Sequence, residues 1–177
     1  MRKGMIIFFI ILSFLIIYLL QVNFFSWFNL SGVKPNLFVM LVLIIGLFSG
    51  KGIGTAFGIF FGLALDFLIG KSIGISSIML GIIGAVGGYL DKSFSKDSRV
   101  TMITMIVITT FLYEIGIIVF NYFINDAIIS VWYVIKVLII EIIFNSILTI
   151  ILYPLIMKLG YKIEGNFKEN RILTRYF

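Results

Sequence analysis

Residues 35–91 read PNLFVMLVLIIGLFSGKGIGTAFGIFFGLALDFLIGKSIGISSIMLGIIGAVGGYLD, and the rest of the chain is read outward from them. The stretch combines long apolar runs, regularly spaced glycines, and Asp66 inside a run that otherwise suits lipid. Gly46, Gly50, Gly54, Gly58 and Gly62 recur every fourth residue. Wherever that spacing falls within one helix, the glycines line one face and let another backbone approach closely, as helices do when they pack inside a membrane. Packing alone is the plain reading of any one of these glycines. Asp66 asks for a further reason.

The composition supports a membrane setting. Hydrophobic residues make up 61% of the 177 and charged residues 12%, with a mean hydropathy of +1.18. These values lie far from those of a soluble globular chain. The length suits about six helices of roughly 20 residues joined by short loops, so residues 1–177 are expected to form a single polytopic membrane domain of the all-α class. The sequence contains no cysteine and no histidine. Disulfides, thiol nucleophiles, Cys or His metal sites and imidazole acid–base chemistry therefore have no carrier. Neither an H-E-x-x-H motif nor a phosphate-cradling glycine loop ending in Lys-Ser/Thr occurs, and no catalytic residue, cofactor or metal is expected.

Taken in order, Met1-Arg2-Lys3 precedes an apolar run from Met5 to Leu20 with no small-x-small cleavage pattern after it. The expectation is a retained first helix rather than a signal peptide. Phe24, Phe25, Trp27 and Phe28 suit the headgroup level. The second run, Leu37 to Phe48, would be only about 18 Å long as a helix against a hydrocarbon core of roughly 30 Å. It is expected to be extended, tilted or re-entrant. The third and fourth runs, Ile53 to Ile69 and Ile73 to Leu90, flank the turn Gly70-Lys71-Ser72. The fifth runs from about Val100 to Tyr122 and the sixth from about Val131 to Met157, with Pro154 near its end. Residues 158–177 read as a short, solvated cytoplasmic tail.

Six spans place both termini on one side, and eleven of the fourteen Lys and Arg residues then share that side. Lys34, Lys71 and Lys136 fall opposite. The bias predicts cytoplasmic termini in a multi-pass protein of the bacterial cytoplasmic membrane. It accounts for the net charge of +6 by orientation and contact with anionic membrane lipids, leaving nucleic acid no part.

Asp66, Glu114 and Glu141 fall within the third, fifth and sixth runs, where a charged side chain costs on the order of 3 kcal/mol at the bilayer centre. With Asn145 they make up an expected intramembrane polar cluster. Two accounts stay open. The residues converge in a polar cavity that holds a ligand or a partner's basic group, or each is neutral or hydrogen-bonded within the bundle, with Asn145, Tyr113 or Lys136 as partners. Asp66 is also near enough to its helix end to snorkel toward the interface.

The central stretch resembles the bacterial rod shape-determining MreD family. Its pattern of Pro-Asp/Asn-Leu, glycines, a G-F-x-x-G-L-x-x-D segment and a later glycine is met at Pro35, Asn36, Leu37, Gly50, Gly54, Gly58, Gly62, Leu63, Asp66 and Gly74. Tyr153, Pro154 and Leu155 match toward the end. Asn36 stands where aspartate is commoner, and Ile59-Phe60-Phe61 replaces a phenylalanine directly after the glycine. Pro35, Gly54, Gly58, Gly62, Asp66 and Gly74 become the expected helix-packing or partner-binding positions. The resemblance implies a non-enzymatic scaffold of the cell-elongation machinery, regulating cell shape in association with an MreC-like protein. Through that protein it would be linked to the MreB filament and to the peptidoglycan polymerase and transpeptidase. It also implies a fold like the substrate-binding subunits of energy-coupling-factor vitamin transporters, and such a subunit is the second reading. Those subunits usually dock through small residues four apart on the first helix, whereas MIIFFIILSFLIIYLLQ carries only Ser13. Pairing of two copies through the glycine face is a further arrangement that the spacing permits.

Overall fold

The computed structural model describes residues 3–69, 73–93, 98–125 and 130–168. Apart from an isolated bridge between Leu30 and Val33, regular structure among these residues is helical. Helix α1 spans Lys3–Leu19 and is prolonged by a π-helical turn, Leu20–Phe24, and a last turn, Phe25–Trp27. Then follow α2 (Leu37–Ser49), α3 (Lys51–Ile69), α4 (Ile75–Ser93), α5 (Arg99–Asn125) and α6 (Val131–Phe167). Gly4–Trp27, Lys51–Ile69, Arg99–Ile124 and Val131–Phe167 are each long and apolar enough to cross a membrane; Leu37–Ser49 and Ile75–Asp91 are shorter apolar helices.

The short second run forms the centre of the bundle. A helix that is apolar all round is a buried helix, and Val39, Val42, Leu43, Ile45, Leu47 and Phe48 have no exposed surface. All the other helices pack against α2. Its 13 residues span about 20 Å, and α2 ends at Gly50, whose N–H donates to the Gly46 carbonyl at 2.9 Å. Gly50 has φ +93°, a conformation that a Cβ would strain. Lys51 then opens α3. Gly46 and Gly54 therefore belong to different helices, and the fourfold spacing is split between them by a break at Gly50.

The glycines make a seam where α2, α3 and α4 meet. A Cβ added at Gly58 would lie 2.2 Å from the Leu80 carbonyl oxygen, and one at Gly62 would lie 2.3 Å from the Ser77 Cα. From the other side, a Cβ at Gly84 would lie 2.1 Å from the Gly54 carbonyl oxygen and one at Gly46 would lie 2.4 Å from that of Gly84. The backbones thus touch where only hydrogen separates them. The partner of the glycine face is α4 of the same chain, so no room is left there for a second copy.

Helix α1 is held by a narrow stripe, Ile6, Ile10 and Phe14, at four-residue spacing. The Phe14 ring stacks on Phe61 with centroids 4.5 Å apart and meets Phe38 at 5.3 Å. Ile17 and Tyr18 are partly buried beside this stripe, and much of the rest of α1, including Phe8, Phe9, Leu15, Ile16 and Leu19, is exposed. Helix α6 likewise buries one stripe, Glu141, Asn145, Thr149, Ile156 and Gly160, and exposes Ile139, Ile143, Ile147, Ile150, Ile151 and Leu155.

The far end of α6 extends beyond the expected limit at Met157. The helix continues through Pro154, where the missing N–H costs one ladder bond, and runs on to Phe167. At 37 residues it is about 55 Å long, well beyond a hydrocarbon core of roughly 30 Å. Residues 158–168, read from sequence as part of a solvated tail, are thus largely helical and docked. Gly160 packs against the Phe48 ring, and Lys168 Nζ donates to the Leu47 carbonyl at 2.9 Å and to Asp91 at 2.7 Å. Residues 169–177 lie outside the described residues, as does the turn Gly70-Lys71-Ser72. Near the same end the Arg99 guanidinium lies over the Tyr153 ring, 5.4 Å from its centroid.

Candidate functional site

A buried polar cluster occupies the end of the bundle opposite Lys168. Its base is the start of α2. Pro35 is buried, and Asn36 caps α2 by accepting from the Val39 N–H at 3.3 Å, so its extended backbone leaves its own N–H outside the helix ladder. That N–H donates to Oδ1 of Asn145 on α6 at 2.9 Å. Nδ2 of Asn145 in turn donates to Oγ1 of Thr110 on α5 at 3.0 Å. One fully buried amide thereby ties α2, α5 and α6 together. Thr149, one turn further along α6, keeps its hydroxyl on the Asn145 carbonyl at 2.6 Å.

Glu141 lies one turn before Asn145 on the same face of α6 and is 4% exposed. Its carboxyl faces that of Glu114 on α5, with Asn36 and Asn145 beside it. As carboxylates the two bring no donor to each other, and Oε1 of Glu141 is buried without a hydrogen-bond partner among the described residues. Tyr113, also buried, is flanked by Asn36 and by Ser76 of α4. Lys136 is exposed and forms no ion pair with either glutamate among the described residues.

Asp66 has other partners. It is 5% exposed, and its Oδ2 accepts from the Gly74 N–H at 2.7 Å and the Ser77 N–H at 3.4 Å. It therefore caps the start of α4 from the preceding helix, as an Asp at a helix N-terminus does. Gly74, with φ +104°, gives the turn the left-handed geometry that directs its N–H to the carboxylate. The hydroxyl of Ser77 donates to the Ile59 carbonyl at 3.0 Å, tying the same turn to α3. The structure thus gathers Glu114, Glu141 and Asn145 in one group and sets Asp66 in another. Consecutive serines stand between them, Ser77 bonded to Asp66 and Ser76 beside Tyr113.

Asn36, Thr110 and Thr149 belong to this cluster and were not singled out as site residues from the sequence. A signal for two of them was present. Glu141, Asn145 and Thr149 are spaced four apart, as are Thr110 and Glu114, so each set lines one helical face. Among the described residues no group of three or more His, Cys, Asp or Glu side chains is placed to hold a metal ion. What the arrangement does chemically is to pair polar groups where water is scarce and to fix the mutual rotation of α2, α5 and α6.

Neither a curated protein nor a solved structure matches the chain. A family model described as rod shape-determining protein MreD matches residues 2–163, from the first helix through the glycine seam and the polar cluster to the extension of α6. With apolar helices of spanning length and this match over most of its length, the chain is a membrane protein and belongs to the MreD family.

Proposed function

We propose that this chain is a non-enzymatic membrane scaffold of the bacterial cell-elongation machinery. It acts as one multi-pass domain in the cytoplasmic membrane with both termini in the cytoplasm. The observation that carries this reading is the family match over residues 2–163, since that family is one of rod-shape determination. The basic bias supports the orientation: Arg99, Lys158, Lys162 and Lys168 belong to the end of the bundle near Asp91, and the polar cluster belongs to the other, outward end. The partner is an MreC-like protein, linked in turn to the MreB filament and to the peptidoglycan polymerase and transpeptidase. The broad apolar faces of α1 and α6 suit lipid or a partner's transmembrane helix.

Removal of the gene from a rod-shaped host tests this. Cells are expected to round up and to regain rod shape when the chain is supplied in trans. Unchanged shape after clean removal, with no second copy of the family present, contradicts the proposal.

A further inference from the structure

Buried carboxyl groups in a membrane bundle need a counter-charge or a proton. Glu141 is buried and Glu114 half-buried, and the groups the structure places beside them are polar and uncharged. Helix α2 contributes Asn36, α4 contributes Ser76 through Tyr113, α5 contributes Tyr113 itself, and α6 contributes Asn145. No lysine or arginine among the described residues pairs with either glutamate. Lys34 donates to the Ser26 hydroxyl at 2.7 Å, and Lys136 is turned outward. The two carboxyls nevertheless come together, because Glu114 lies one turn after Thr110 and Glu141 one turn before Asn145 on antiparallel helices joined by the Asn145–Thr110 bond, and Oε1 of Glu141 is enclosed without a donor. Two carboxylates in contact repel strongly where the dielectric is low, and one proton turns the contact into a hydrogen bond between an acid and its conjugate base.

We infer that Glu114 and Glu141 form a proton-binding site, one proton shared between the two carboxyls and joining α5 to α6. The missing donor is then the proton itself. A carboxyl proton satisfies the enclosed oxygen, leaves a single negative charge for the amides of Asn36 and Asn145 to stabilise, and requires no basic partner. Asp66 differs because two backbone N–H groups, of Gly74 and Ser77, already donate to its Oδ2. The inference is independent of the scaffold reading, because it concerns what holds the bundle together rather than what the bundle binds.

Infrared spectroscopy of the full chain in lipid nanodiscs at neutral pH tests it, with glutamate carrying a carbon-13 side-chain label. The expected result is a deuterium-sensitive C=O band of a protonated carboxyl that shifts with the glutamate label. The band is lost in both Glu114→Gln and Glu141→Gln and kept in Asp66→Asn. The isotope shift needs no mutation, so the wild-type protein alone decides if a variant fails to fold. Absence of a protonated glutamate band from the wild type overturns the inference, as does a band that survives both glutamine variants. A band that appears only when sodium is replaced by a bulky organic cation also overturns it, because a metal ion is then the resident cation.

Discussion

The backbone N–H of Asn36 and the side-chain oxygen of Asn145 meet at 2.9 Å although 109 residues separate them in the chain. The bond joins the family's Pro-Asn-Leu segment to the middle of the last helix. It also explains why an amide, rather than an apolar side chain, occupies a fully buried position of α6. The Asn36 N–H lies outside the α2 ladder and needs an acceptor, while Thr110 accepts from the other end of the same amide. Substitution Asn145→Leu leaves both groups without partners and is expected to destabilise the protein by about 2–3 kcal/mol. Thr149→Val, which removes only a bond within α6, should cost less than about 1 kcal/mol. Reversible unfolding in mild detergent measures both; equal effects would remove Asn145 from its central role.

The glycine seam predicts a sharp contrast between neighbours. Gly58→Leu or Gly62→Leu forces a side chain into the backbone of Leu80 or of Ser77, whereas Ile59 is 42% exposed and Ile59→Leu preserves its volume. The glycine variants should fail to yield folded protein in membranes, and Ile59→Leu should accumulate to within about a factor of two of wild type. Fluorescence size-exclusion profiles of solubilised membranes show the difference. Similar profiles for all three would contradict the close approach of α3 and α4.

At Asp66 the geometry separates charge from hydrogen bonding. Asn retains one oxygen toward the Gly74 and Ser77 N–H groups, so Asp66→Asn is expected to cost under about 1 kcal/mol, and Asp66→Ala about 1–2 kcal/mol. Thermal stability of the purified variants gives the order. If Asn proves as damaging as Ala, the negative charge meets something other than the first turn of α4.

Lys168 fastens the extension of α6 through the Leu47 carbonyl and Asp91. Replacing it by alanine should speed proteolytic cleavage after Lys158 or Lys162 severalfold and leave the rest of the bundle protected. Limited proteolysis of membrane vesicles reads this directly, and unchanged cleavage would mean that Gly160 against Phe48 holds the extension alone.

Much of this architecture is legible in the sequence because membranes impose few solutions. Hydropathy marks the runs that become α1 and α3 to α6, and the glycine spacing announces close packing. The spacing does not say that Gly46 and Gly54 lie on either side of a break, because only the backbone angle at Gly50 decides that. Nor did it announce the reciprocal Gly84 and Gly88, whose importance depends on the angle at which α4 crosses. The second run is too short to span comfortably by length alone, and its answer is tertiary: the other helices enclose it. Glu114, Glu141 and Asn145 stand out as polar residues in apolar runs, whereas Asn36 looks like a loop residue until α6 is placed beside it. The extension beyond Met157 is hidden because KLGYKIEGNF is polar enough for a tail, and only the tertiary contacts, Gly160 against Phe48 and the Lys168 bonds, reveal why it stays docked.

The measurement that bears most directly on the central claim is purification of the tagged chain from native membranes in mild detergent, with identification of what accompanies it. The account predicts recovery of an MreC-like protein together with cell-wall synthases. Recovery of paired ATPases with a transmembrane coupling subunit, and none of the elongation proteins, would contradict it and assign the chain to transport.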